Sequence, residues 1–331
     1  MAKNRLERKL QRIHEDPHGA KDFIICDAKD GDMAAGIAMP GPVLDRSGIP
    51  TGRYKTAEDH LAQVTALVEQ DVLDLMLLSV GNLDRLVDRG VFAGSEMATA
   101  IRANDTTDIW GARHSRYTQQ PSVAHRTAHL PHAAKLTDLG LYSITFVNGA
   151  DVDALAGEIY REFRIEAEAL DFGHFLEVFN PNVGMGALAS EEIGQFVNDN
   201  IVRVIAGVPI SQRPRFLKIV YNGPQALEEL VAYDPSIIVG ILGGGAGTTR
   251  DTFELLKAAQ KGGARIALFG RKINLAEDPL AIVASMRRIV DGDIGPEEAV
   301  RAYHGTLQEK DIAPKRALAD DLEITEAVLR L

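Results

Sequence analysis

Residues 237–269 read IIVGILGGGAGTTRDTFELLKAAQKGGARIALF, and this stretch decides the fold. Ile237–Leu242 is a short apolar, β-branched run of the length a buried parallel strand needs. Glycines follow at positions 243, 244, 245 and 247, and then Phe253, Leu256 and Ala259 recur at helical spacing. Gly262-Gly263 stops that helix, and Ala264–Phe269 begins the next apolar run. Strand, turn, helix and strand in so short a span make a βαβ unit, which predicts a parallel sheet.

Working outward, the same alternation fills most of the chain. Further apolar runs stand at Phe23–Cys26, Leu73–Leu78, Leu141–Val147, Phe175–Phe179 and Phe216–Tyr221. Between them lie helical patterns, such as Asp151–Leu170 with Leu155, Ile159, Phe163 and Ile165 on one expected face. Asp278-Pro279 reads as a helix N-cap followed by proline at the first helical position. These are seven strands, and a closed barrel needs an eighth. Asp108–Ala112 is taken as strand three. An open doubly wound sheet is the alternative, but no Gly-x-Gly-x-x-Gly follows the first strand. The expectation is an α/β chain folded as a (β/α)8 TIM barrel. It has an N-terminal helix within residues 1–20, a barrel over 21–291 and a helical extension over 292–331, broken at Pro314.

Composition agrees and excludes much else. The 331 residues carry 47 acidic and 36 basic side chains, a formal net charge of −11, which disfavours a general nucleic-acid binder. With 45% hydrophobic and 25% charged residues the balance is that of a globular protein, with a chain long enough to fold without staples. One cysteine, Cys26, forbids an intrachain disulfide and points to a reducing, cytoplasmic setting. No apolar run approaches the length of a membrane span and no signal-peptide pattern opens the chain, so no membrane partner is expected.

Barrel chemistry sits at the C-terminal ends of strands, and period-two alternation says which side chains point inward. In Phe216–Tyr221, Leu217 and Ile219 would face the helices, which places Lys218 inside. Desolvating an ammonium is costly, so burial favours the free, nucleophilic amine. The structural alternative is a lysine paired with an interior carboxylate. In Phe175–Phe179 the alternation puts Glu177 inside, and in Phe23–Asp27 it is read as placing Ile25 and Asp27 inside with Lys29 beyond, and Cys26 outside. Carboxylates beside an interior lysine are what proton transfer around a carbinolamine requires, or else a salt-bridged plug. Asp30 and Asp32 fall in the following loop. Tyr221 and Trp110 are candidates for core or pocket wall.

Gly243, Gly244, Gly245 and Gly247 precede a helix, and Gly270-Arg271 ends the next strand. Backbone amides in such loops, with a helix N-terminus behind them, cradle an anion, and loops seven and eight commonly do so in this fold. Residues 113–132 hold His114, His125, His129 and His132, with His125 and His129 at the spacing of a helical ligand pair. No acidic ligand accompanies them, so the segment reads as a polar cover over the barrel mouth.

The second half of the chain, best from about Leu141 to Ile273, resembles the class I aldolase superfamily. That superfamily includes archaeal-type fructose-bisphosphate, tagatose-bisphosphate, sulfofructose-phosphate and deoxyribose-phosphate aldolases. Phe216-Leu-Lys218 looks like the strand that carries the Schiff-base lysine, and Phe175-Leu-Glu177-Val like the strand whose glutamate carries protons. Gly243–Thr249 with Gly270-Arg271 looks like the phosphate or sulfonate cradle, and Asp27 sits where these families keep an aspartate. Where the tagatose-type enzymes carry an inward lysine on strand four, this chain has Ser143.

The resemblance implies a lyase that makes or breaks a C–C bond in an anionic ketose through a lysine Schiff base, with no cofactor. Catalytic residues would be Lys218, Glu177 and Asp27. Substrate would be held by Gly243, Gly244, Gly245, Gly247, Gly270, Arg271, Asp30 and Tyr221. The partner expected is a small anionic sugar, with a homo-oligomer using the helical tail. The alternatives are a transaldolase- or thiolase-like transferase using the same lysine, a metal-dependent isomerase or epimerase on His125 and His129, and a non-catalytic anion-binding barrel.

Overall fold

A computed structural model describes residues 4–45, 48–183, 189–245 and 247–330. Eight parallel strands close into a barrel: β1 (Ile24–Ala28), β2 (Leu75–Leu78), β3 (Ala98–Arg102), β4 (Leu139–Thr145), β5 (Gly173–Phe179), β6 (Leu217–Ile219), β7 (Val239–Leu242) and β8 (Ile266–Phe269). Each pairs with the next in the chain, and β1 closes on β8. The seven expected strands are all present. The eighth is not at Asp108–Ala112, where Thr107–Ile109 forms a single 3-10 turn. It is Ala98–Arg102, whose two alanines and terminal arginine gave a weak apolar signal.

Two cores meet at the barrel wall. The outer one packs strand residues such as Ile25, Met76, Val178, Leu217 and Ile241 against the helices. The inner one holds Ile24, Cys26, Leu75, Ala100, Leu141, Phe175, Phe216, Ile238 and Leu268 together with Leu6, Leu10 and Ile13. Those last three lie on the N-terminal helix Arg5–Glu15, which is capped by the Asn4 side chain and plugs the lower end of the barrel. Burying each contributes roughly 1.5–3 kcal/mol before chain entropy is subtracted. Phe175 and Phe216 stack at 4.5 Å between ring centres and floor the upper, polar half of the lumen.

Helix Ala150–Ala169 is present, but it buries Ala156, Tyr160, Phe163 and Ala167, whereas Leu155 and Ile165 are 56% and 48% exposed. The true stripe is one of small residues around two aromatics, so hydrophobicity alone picked the wrong face. Helix Thr249–Lys261, its stop at Gly262, and the Asp278 cap of helix Pro279–Asp291 stand as read. After Gly295, helix Pro296–Glu309 turns Ala299, Val300, Tyr303 and Leu307 into the barrel's own outer core. Its apolar face is therefore already covered within the chain. Short turns at Leu318–Asp321 and Ala327–Leu329 carry the chain back over the end of β7. Among the described residues no helix is long and apolar enough to cross a membrane.

Candidate active site

The strand registers place one polar tier across the lumen. Ser143 lies opposite Glu177, and Glu177 opposite Lys218. Facing residues in a parallel ladder point to the same side, and the residues two positions earlier, Leu141, Phe175 and Phe216, belong to the inner core. Lys218 Nζ is 2.6 Å from Glu177 Oε1, and the two residues are 5% and 1% exposed. The other carboxylate oxygen, Oε2, accepts from Ser143 Oγ at 2.6 Å and from Arg102 Nη2 at 3.1 Å. Arg102 also donates to Ser143 Oγ at 2.9 Å and to Asp30 Oδ2 at 2.5 Å. Asn104 fixes the serine from behind, since its amide accepts from the Ser143 N–H and donates to the Ser143 carbonyl.

The tier thus holds two cations and two carboxylates, all buried. Burial works against the Arg102 charge, but Asp30 and Glu177 outweigh it and hold the guanidinium charged. Burial likewise raises the Asp30 carboxyl, yet Arg102 and Lys218 bring it below the usual range. Glu177 is clamped on one oxygen and presents the other to the lysine. One proton moving across that 2.6 Å contact converts the ion pair into a free amine beside a neutral acid, which is a nucleophile with a proton donor in reach.

Two expected residues lie elsewhere. Asp27 does not enter the lumen. The register sets it beside Met76 and Phe269, both in the helix-facing core, while Cys26 pairs with Leu75 on the inner side. Asp27 instead sits 3.2 Å from Lys29 Nζ, and burial, opposed by Lys29, pushes its carboxyl up to about 6. Cys26 faces inward, and burial raises its thiol well above the ordinary value, so it is a packing residue. The error has a simple source: every residue from Phe23 to Asp27 is buried, so hydrophobicity does not mark which face is which. Asp30, two further along the inward phase, is the strand-one carboxylate that reaches the lumen. Tyr221 packs in the outer core, so it is wall of the helix layer and not of the lumen.

The glycine loop stands at the end of β7 beside Gly270-Arg271 at the end of β8; Ala246 lies outside the described residues. Gly244 has φ +63°, a left-handed conformation that suits glycine, and a Cβ on Gly270 would come within 2.7 Å of the Ala28 carbonyl. Arg271 is exposed and clips the two loops together through the Gly244 carbonyl at 3.0 Å. The helix N-terminus behind the loop is occupied by the chain itself. Thr248 N–H donates to Asp251, Thr249 N–H to Asp321, and Thr248 Oγ1 to the Glu323 carbonyl. Glu326 then lays its carboxylate over the loop, under 4 Å from where side chains on Gly244 and Gly245 would begin. There it meets Lys272 Nζ at 3.3 Å. The protein's own tail thus seats a carboxylate in the cradle read from the sequence.

His125 and His129 do not form a ligand pair on a helix. His125 ends a two-residue strand against Asp105 and stacks edge-on with Trp110, while His129 precedes the turn Leu130–Ala133. Among the described residues no three His, Cys, Asp or Glu side chains gather as a metal site.

Sequence reading missed Arg102, Lys272 and Glu326, and saw Ser143 only as a departure. Arg102 was legible in principle: it continues the inward phase of Ala98 and Ala100. Nothing in the sequence tied Glu326 to a loop some eighty residues earlier.

The closed parallel barrel is a fold that the chain shares with solved structures of fructose-bisphosphate aldolases. Among solved structures, the chain is similar to an archaeal fructose 1,6-bisphosphate aldolase at a TM-score of 0.62 and 16% identity, over 87% of this chain and 99% of that one. A fructose-bisphosphate aldolase from Slackia heliotrinireducens matches at 0.61 and 14%, over 94% and 93%. A Corynebacterium glutamicum protein matches at 0.58 and 16%, over 87% and 98%. These likenesses bear out the resemblance at the level of the fold. No family model matches the chain, and no curated protein matches it by sequence.

Proposed function

We propose that the chain is a Schiff-base aldolase acting on a small anionic ketose or ketol. The observation that carries this is the buried Lys218–Glu177 contact at 2.6 Å at the upper end of the lumen. The shared fold of the archaeal aldolases, one of which was solved with its catalytic lysine covalently bound to the carbinolamine intermediate, supports the same reading.

In this mechanism Glu177 takes the proton of Lys218, and the freed amine adds to the substrate carbonyl carbon. Glu177 returns a proton to the carbinolamine hydroxyl, water leaves, and an iminium forms. Removal of the β-hydroxyl proton by the carboxylate breaks the Cα–Cβ bond; its electron pair flows into the iminium and gives an enamine, and the aldehyde departs. Protonation of the enamine carbon and addition of water release the ketone and restore the lysine. Ser143 and Arg102 hold Glu177 in one orientation throughout, and Asp30 holds Arg102. The substrate's anion is seated by the amides of Gly243, Gly244 and Gly245, with Gly270, Arg271 and Lys272 alongside. It takes the position of the Glu326 carboxylate, so remote binding energy positions the reacting carbons.

The test is borohydride trapping with dihydroxyacetone phosphate and fructose 1,6-bisphosphate, read by intact mass and peptide mapping. The expected adduct is on Lys218. Lys218→Met should remain folded with neither adduct nor turnover, and Asp27→Asn should keep the adduct, because Asp27 faces away from the lumen. Turnover in Lys218→Met, or a label on another peptide, overturns the assignment. Saturable binding of either sugar phosphate without adduct or turnover would instead favour a non-catalytic anion-binding barrel. Transfer of the trapped fragment to a second aldehyde in preference to water would mark the transferase variant of the same chemistry.

A further inference from the structure

The tail that crosses the end of β7 takes up more of the glycine loop's surroundings than the Glu326 carboxylate alone. Asp321 accepts the Thr249 N–H at 2.8 Å, and the Glu323 carbonyl accepts from Thr248 Oγ1 at 2.7 Å. Asp251, in the first turn of helix Thr249–Lys261, holds the residues that follow. Its Oδ1 accepts from the Thr325 and Glu326 N–H groups at 2.8 and 3.1 Å, and its Oδ2 from Thr325 Oγ1. Glu326 then meets Lys272 beside Gly244 and Gly245. Two tail carboxylates thus engage an amide at the helix N-terminus and a lysine beside the same loop, both of them donors that a phosphate would use.

Hydrogen bonds hold this segment more than packing does. Asp321 and Leu329 are buried at its ends, but no residue from Leu322 to Val328 is, and Leu322, Ile324 and Val328 are only partly buried against the core. A segment with few buried apolar contacts opens at lower cost than the barrel beneath it. Lys272, by contrast, is 7% exposed; burial works against its charge and Glu326 supports it. A buried ammonium is costly to leave without an anion, so Glu326 departs in exchange for another anion.

We propose that residues 321–329 form a strap that competes with an incoming anion for the glycine loop, so that anion binding and strap release are one coupled step. The strap is a built-in competitive inhibitor whose two carboxylates match the charge of one phosphate dianion. Asp251 is its latch: Thr325 and Glu326 share one of its oxygens, so drawing Glu326 off Lys272 pulls on the same clamp. This rests on reading the glycine loop as an anion seat, and not on the chemistry at Lys218. An anion that binds only the open form has its affinity reduced by the fraction open, so weakening the latch strengthens binding by the same factor.

The probe is inorganic phosphate, titrated by calorimetry against the full chain and against Thr325→Val. Hydrogen exchange of the tail and the amide signals of ¹⁵N-glycine-labelled protein are the further readouts. Thr325→Val deletes one bond of the latch and nothing of the seat, so phosphate should bind roughly twofold to tenfold more tightly, the worth of one hydrogen bond. In the wild type, saturating phosphate should speed amide exchange within residues 321–329 and shift the signals of Gly244 and Gly245. Equal affinity in Thr325→Val, or tail exchange that phosphate leaves unchanged or slows, overturns the strap even where the glycine signals show phosphate in the loop. Phosphate that fails to saturate, or saturates without moving those signals, overturns the anion seat and the strap with it. Borohydride trapping on Lys218 is read separately and reports on the aldolase chemistry alone.

Discussion

Replacing Arg102 with methionine tests the polar tier as a unit. The side chain is 4% exposed and binds Asp30, Ser143 and Glu177 at 2.5, 2.9 and 3.1 Å. Methionine keeps much of the stem's bulk but removes one of the two cations, leaving Asp30 and Glu177 with Lys218 alone. Breaking a buried ion pair on one side costs about 3–5 kcal/mol, because the surviving charge stays desolvated. The urea-unfolding free energy, followed by circular dichroism, should fall by that amount. A second effect separates a working tier from a merely structural one. Without the guanidinium, Glu177 loses one of the two groups that orient it toward Lys218, so borohydride trapping on Lys218 at neutral pH should slow. Adding Asp30→Asn removes the surplus negative charge. The double variant should therefore be more stable than the sum of the single losses by about 0.5–3 kcal/mol, the range for residues in one network. A stability loss below about 1 kcal/mol, with an unchanged trapping rate, would refute the reasoning, since that is the cost of an ordinary substitution.

Glu177→Gln keeps the shape and removes the proton carrier, so kcat should fall by about 10²–10⁴ while slow trapping on Lys218 persists; near-normal kcat would reduce Glu177 to a structural partner. Glu326→Gln removes the carboxylate that an incoming anion must displace from Lys272, and KM for an anionic substrate should fall several-fold to about tenfold, part of one charge-assisted hydrogen bond. Unchanged KM, with unchanged binding of inorganic phosphate, would mean that the glycine loop is not the anion's seat. Burial holds His174 and His60 at about 3 and 4, below their ordinary 6.5. The unfolded chain therefore binds protons that the native one does not, and this stability, complete above the ordinary value, is lost as pH falls toward the lowered ones. Each histidine should cost about 2 kcal/mol at pH 5, and Asp27, raised to about 6, acts in the opposite direction. The difference between wild type and His174→Gln isolates one histidine: the variant should lose about 2 kcal/mol less between neutral pH and pH 5, and equal losses in urea midpoint would contradict the assignment.

Seven of the eight strands, the leading helix and the caps at Asp278 and Gly262 were legible because each is a local matter: a run of branched apolar residues, a capping side chain, a glycine where a helix must stop. The inward phase of β5 and β6 was legible too, because Glu177 and Lys218 are single charged residues in apolar strands and have to face the one polar space a barrel offers. Strand β1 shows where that logic ends. A parallel strand packed on helices outside and on its neighbours inside is apolar on both faces, so only the ladder register, Asp27 beside Met76 and Phe269, shows that its aspartate points away. The tier of Asp30, Arg102, Ser143 and Glu177 draws on four separate strands or their ends, and Glu326 reaches the glycine loop from the far end of the chain. Such contacts are set by barrel closure and by where the tail docks. Sequence by itself determined seven of the eight strands and that a lysine and a glutamate share the lumen. Tertiary structure alone decided which carboxylates join them, because a side chain's neighbours across a barrel are fixed by register, not by distance along the chain.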